Sequence, residues 1–123
     1  MPRDRPDPAT LLEQARNSLL RHVLPDLEGD ARYEALMIAS SMAIAAREFA
    51  DGAGIAAEDA AAWRAFCGVA GEAPLDDLIR DLAREIRAGR RDADPAAHRL
   101  LTDSTRRRLR IANPKLQRAE GLE

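Results

Sequence analysis

The chain has little cysteine, few aromatic residues and almost no valine, and each shortage excludes something. One Cys in 123 residues rules out an internal disulfide and a cysteine-based zinc site, and suits a reducing compartment. Four aromatic residues and two Val, with no alternating apolar runs, give no signal for a β-strand. The longest uncharged run falls well short of the ~20 residues that a membrane helix needs. The opening MPRDRPDP is charged with no apolar run behind it, which is not the pattern of a signal peptide. A net charge of −2 predicts no general attraction to nucleic acid. These absences describe a soluble, cytoplasmic protein that binds neither membranes nor nucleic acid.

Alanine and arginine are abundant instead. Ala supplies 25 of the 56 hydrophobic residues, and 18 of the 19 basic residues are Arg. A core so rich in Ala relies on helices approaching closely over small side chains. The stretch from Tyr33 to Phe49, YEALMIASSMAIAAREF, organises the rest, with no charge from Ala35 to Ala46 and no Gly or Pro. Its apolar residues do not keep to one stripe, and a helix apolar nearly all round belongs in the middle of a bundle. Glu34, Ser41 and Glu48, spaced by seven, fall within about 20° of one another on one polar line.

Punctuation around that stretch predicts five helices. Asp7-Pro8 starts the first, which runs to about residue 23 with Leu11, Leu12, Ala15, Leu19 and Val23 on one face and Pro25 closing it. Asp30 caps the central helix, residues 31–50, and Gly52 and Gly54 end it. A third helix spans 58–70, with Gly68 inside it and Ala60, Trp63, Phe66, Cys67 and Ala70 sharing a face. Pro74 opens a fourth with Leu75, Leu78, Ile79, Leu82 and Ile86 inward, Asp77/Arg80 and Asp81/Arg84 pairs outward, and Gly89 at its end. The run GRRDAD is a solvated linker, and Asp94-Pro95 begins a fifth helix that Pro114 stops. The expected architecture is all-α, an antiparallel bundle around the central helix. Residues 1–6 are a tail, 7–114 one helical domain, and 115–123 a second tail.

No catalytic constellation, metal motif or cofactor motif stands out. His22 and His98 lack a further ligand at i+3 or i+4, so neither suggests a metal site. Cys67 sits among aromatics as a small hydrophobe. Ser40 and Ser41 lack the strand-supported elbow of a hydrolase nucleophile and are expected to bond back to a carbonyl one turn earlier. GAG at 52–54 and GVAG at 68–71 form no phosphate loop. Arg106, Arg107, Arg108 and Arg110 form a basic cluster without interleaved aromatics, a solvated face or a patch meeting an acidic one.

Glu34 and Glu48 lack the E-x-x-H partners of a di-metal site and are expected to pair with arginines of other helices. Projected at 100° per residue, Ala97, Leu101, Ser104, Thr105 and Ala112 form the inward face of the fifth helix, with Arg108 near its centre. Arg108 is therefore expected to pair with Glu48, or failing that Glu34. In the alternative, Glu34, Ser41, Glu48 and Arg108 line a pocket for a small anionic ligand.

Residues 4–16 (DRPDPATLLEQAR), 23–48 (VLPDLEGDARYEALMIASSMAIAARE) and 106–116 (RRRLRIANPKL) resemble a family of short all-helical bacterial proteins of unknown function. Members are often encoded beside aminoglycoside-phosphotransferase-like kinases and acyl-CoA dehydrogenases. The family's central helix often has Asn where this chain has Ser41, which weakens any hydrogen-bonding role there. The family brings no catalytic residues, and residues 51–94 carry none of the resemblance. It implies an accessory role beside a kinase-like or acyl-CoA-metabolising partner, and the absence of a catalytic constellation makes that role a non-catalytic, interaction one. Leu20, outside the main stripe of the first helix, and the Ala-rich third helix leave apolar surface that predicts a homodimer.

Overall fold

A computed structural model describes residues 6–119 apart from Ala70 and Glu72. It is all-α, 85% helical with five helices, and shows no strand among the described residues. The helices are α1 (Pro8–Ser18), α2 (Gly29–Cys67), α3 (Leu75–Arg87), α4 (Pro95–Ala112) and α5 (Pro114–Ala119). The chain divides into two compact units between Ala53 and Gly54, a point inside α2.

Five helices agree with the expected number, but they are not the same five. Gly52 and Gly54 do not end the central helix; α2 runs through both for 39 residues, fusing the second and third expected helices. Glycine in a helix interior is unfavourable by only about 1 kcal/mol, and neither of these glycines has a positive φ. The break comes at Gly68, whose φ of 67° is the left-handed geometry of a helix C-terminus. The expected ending at Ala70 lies outside the described residues. The missing fifth helix appears at the other end, where a fraying tail was expected. Pro114 stops α4 but then starts α5, and Asn113 Oδ1 accepts from the Leu116 amide at 3.0 Å.

The first unit packs α1 against the N-terminal half of α2. Asp7 caps α1 as expected, accepting from the Thr10 amide at 2.8 Å. Its last turn widens into a π-turn at Leu19–Val23, followed by a 3₁₀ turn at Leu24–Asp26 that contains Pro25. Leu11, Ala15 and Val23 are exposed, while Leu12, Arg16, Leu19 and Leu20 are half-buried, so the inward face is rotated from the expected one. Arg16 explains part of that rotation: its Nε donates to the Ala39 carbonyl at 3.2 Å, which ties α1 to the alanine side of α2.

Along α2 itself the first unit buries Ala35, Ala39 and Ala46, with Ala43 half-buried. Tyr33, Leu36, Met37, Ile38, Ile44 and Phe49 are exposed. This stretch is therefore not enclosed; it packs by its small residues and shows its large ones to solvent.

The core of the second unit is Trp63, Leu78, Leu82 and Leu100, with Phe66, Cys67, Leu75 and Ile79 packed against it. The apolar stripe of α3 behaves as its spacing predicts, except that Ile86 at its end is 41% exposed. The outward Asp77/Arg80 and Asp81/Arg84 pairs form at 3.7 and 3.5 Å, and Gly89 ends the helix with a φ of 77°. Asp94 caps α4, accepting from the amides of Ala96 and Ala97.

Candidate functional site

The inward face of α4 is where the chemistry of the second unit gathers. Ala97, Leu100 and Ser104 are buried, with Arg107 next in that i, i+3, i+7, i+10 series. Leu101, Thr105, Arg108 and Ala112 are exposed. The true face is thus turned from the expected one by roughly one residue position (~100°), and Arg107 replaces Arg108 as the inward cation. The cause is a carboxylate that sequence reasoning passed over. Asp59 is buried on α2; its Oδ1 takes Arg107 Nη1 at 2.9 Å and its Oδ2 accepts from Ser104 Oγ at 3.1 Å. Glu58 adds to the cluster, 3.1 Å from Arg110 Nη2 and 3.8 Å from Arg107 Nε.

This network joins α4 to the C-terminal half of α2. Both oxygens of Asp59 accept from donors on α4, so the group holds the two helices together. The basic cluster accordingly meets an acidic patch of its own chain, with Arg106 turned to Asp103 at 3.4 Å. The charge asymmetry of the sequence was legible; that Asp59 alternates inward with Trp63 was the missed signal, since the two are four residues apart on one helix face.

Arg108 differs from its neighbours. Among the described residues no carboxylate pairs with it, and it lines a cavity of about 200 Å³ together with Trp63, Ile79, Leu82, Ile86 and Leu101. Trp63 Nε1 is sealed from solvent without a hydrogen-bond partner among the described residues. A larger depression of about 520 Å³ adjoins this cavity, sharing Ile86 and Leu101, and reaches Arg91, Asp94 and His98. Arg91, expected in a solvated linker, is anchored instead. It reaches Glu85 at 2.7 Å and Asp94 at 2.6 Å, and its Cζ lies 5.2 Å from the Phe66 ring centroid. The hydrogen bond from Arg91, then those from the Ala97 and Ala96 amides, hold the Asp94 carboxyl below the usual carboxylate range.

The other expected site residues lie in the first unit. Glu34, Ser41 and Glu48 are all exposed on α2, beside the exposed Tyr33, Met37 and Ile44. Ser41 Oγ bonds back to the Met37 carbonyl at 3.0 Å, as expected. Arg108 belongs to the second unit, so the four expected residues do not form one site within either unit. His22 and His98 are exposed, and Cys67 is a half-buried free thiol at the end of α2. Among the described residues no group of three or more His, Cys, Asp or Glu is placed to hold a metal ion, and no helix is long and apolar enough to cross a membrane.

These features define a small all-α protein whose buried polar residues, Asp59 and Ser104, join its own helices. Residues 25–116 match the family model described as Domain of unknown function (DUF6285), and the chain belongs to that family. The match runs through residues 51–94, which carried none of the resemblance in the sequence, and begins after residues 4–16, which did. No curated protein and no solved structure matches the chain.

Proposed function

We propose that this protein is a non-catalytic helical accessory protein that docks through the exposed face of α2 in its first unit. In this proposal it is a cytoplasmic homodimer that serves a kinase-like or acyl-CoA-metabolising enzyme. The observation supporting docking is the inverted burial along residues 33–49: alanines face the packing, while Tyr33, Met37 and Ile44, together on the opposite face, are 67, 50 and 37% exposed. Burying such a side chain is worth about 1.5–3 kcal/mol, and aromatic residues and Met are enriched at interfaces. The family resemblance supports the choice of partner enzymes.

The test is co-purification of the tagged protein with enzymes of those two classes, together with sedimentation. Met37→Glu with Ile44→Glu should leave the helical circular dichroism intact and abolish both enzyme capture and a dimer near twice 13.5 kDa. Capture and dimer unchanged by the double substitution would remove this face from the function. The cavity that Arg108 lines favours a second reading, binding of a small anionic ligand, with surroundings other than Glu34, Ser41 and Glu48.

A further inference from the structure

We propose that the cavity walled by α3, α4 and Trp63 binds a small carboxylate carrying an aliphatic chain, a ligand class that rests on the anion-binding reading and makes it specific. Four observations carry the inference. The first is charge. Arg106, Arg107 and Arg110 each have a carboxylate partner, whereas Arg108 has none among the described residues. An arginine side chain is a permanent cation, and one that is both exposed and a lining residue stands at the opening of the cavity.

The second observation is the wall. Behind Arg108 the wall is aliphatic and aromatic at Ile79, Leu82, Ile86, Leu101 and Trp63, and the two hydroxyl side chains that also line it, Ser104 and Thr105, already donate to Asp59 and to the Leu101 carbonyl. A bare inorganic anion gains nothing from such a surface, whereas an alkyl chain does. The third is size. About 200 Å³ lies below the ~300 Å³ at which sites for drug-sized ligands begin, so a nucleotide or a folded peptide is excluded from it. The adjoining depression over Ile86 and Leu101 gives a longer chain room to continue. Exposure of those two side chains, 41 and 38%, is apolar surface that the chain would cover.

The fourth is polarity of orientation. The far end of the depression carries Asp92 and Asp94, with the nearby cation Arg91 already paired to Glu85 and Asp94. An anionic head is repelled there and accepted at Arg108, so the ligand lies head to Arg108 and tail toward Ala97 and His98.

The sole Trp of the chain lines the cavity, so its emission reports occupancy. The full-length protein is titrated with butanoate, hexanoate and octanoate, by Trp fluorescence and by calorimetry. Binding should saturate and tighten about fourfold per added methylene. Arg108→Gln should weaken octanoate about tenfold or more, the loss of one charge-assisted contact. Leu101→Asn, at an exposed position outside the Trp63–Leu78–Leu82–Leu100 core, should flatten the dependence on chain length. Octylamine binding as tightly as octanoate, or an Arg108→Gln variant that binds octanoate unchanged, overturns the proposal. Acetate or inorganic phosphate binding as tightly as octanoate overturns the aliphatic ligand class while leaving the anion reading in place. No heat and no emission change with any anion overturns both.

Discussion

Replacing Asp59 should destabilise the second unit more than replacing any surface charge, and the size of the effect follows from its surroundings. The Asp59 and Arg107 side chains are only 12 and 14% exposed and meet at 2.9 Å. Removing one member of a buried pair typically costs about 3–5 kcal/mol, because the other charge is left without a partner in a poorly solvated place. Here two features reduce that figure. Glu58 Oε1 stands 3.8 Å from Arg107 Nε, and some water reaches both side chains.

Ser104, which donates to the other carboxylate oxygen at 3.1 Å, works the opposite way, since it too loses its acceptor. The expected loss for Asp59→Ala is about 3 kcal/mol, the lower end of the range. The comparison is Asp77→Ala, whose pair with Arg80 is 61–63% exposed and worth at most about 1 kcal/mol. Urea denaturation followed by Trp63 emission reads the second unit directly, and an Asp59→Asn/Arg107→Gln cycle should show a coupling of roughly 1–3 kcal/mol. Asp59→Ala within about 0.5 kcal/mol of wild type, or a cycle with no coupling, would falsify the network as the tie between α2 and α4. Arg108→Ala, at an exposed position, should change stability by no more than about 0.5 kcal/mol.

Gly54 lies in the helix with nothing within 4 Å of an added Cβ, so Gly54→Ala should stabilise by about 0.5–1 kcal/mol. Gly68→Ala should destabilise by about 1–2 kcal/mol, since a Cβ resists its positive φ; thermal melts of the two variants must move in opposite directions. Ala39 is 2% exposed beneath the Arg16 contact, and Ala39→Leu should overpack the first unit by about 1–3 kcal/mol, which an unshifted urea midpoint would refute. Asp94 is held below the ordinary carboxylate range, chiefly by Arg91. A depressed folded-state value means a contribution fully present above about pH 4 and lost as pH falls through that value. The stability gap between wild type and Asp94→Asn, which keeps a capping oxygen, should therefore be constant near neutrality and close on acidification; a gap that widens in acid would contradict the assignment.

Much of the helical outline was legible because it depends on local chemistry. Asp7-Pro8 and Asp94-Pro95 announce helix starts through a side-chain acceptor and a preset φ, and both work as their sequence implies. The stripe of α3 and its outward i, i+3 pairs are likewise properties of one helix. The errors arose wherever a residue could serve two local roles. Glycine is tolerated in a helix and favoured at its end, so Gly52, Gly54 and Gly68 could be assigned only once the surrounding backbone was in place. Proline both stops one helix and starts another, and at Pro114 it does both.

The candidate site was far less visible. Helical projection locates a stripe to within about one residue position, and that is the difference between Arg107 and Arg108. Choosing between them required knowing that Asp59, 48 residues away from Arg107, sits opposite on α2 with one oxygen for Arg107 and one for Ser104. Sequence alone determined that the chain is helical, where most of its helices begin, and that its basic C-terminal segment would either face solvent or meet an acidic patch. Tertiary structure decided which arginine is buried and which is left at the cavity, because that depends on the partner's position and not on the helix's own period. It also decided that the most apolar stretch shows its large side chains to solvent, since packing there goes through Ala35, Ala39 and Ala46.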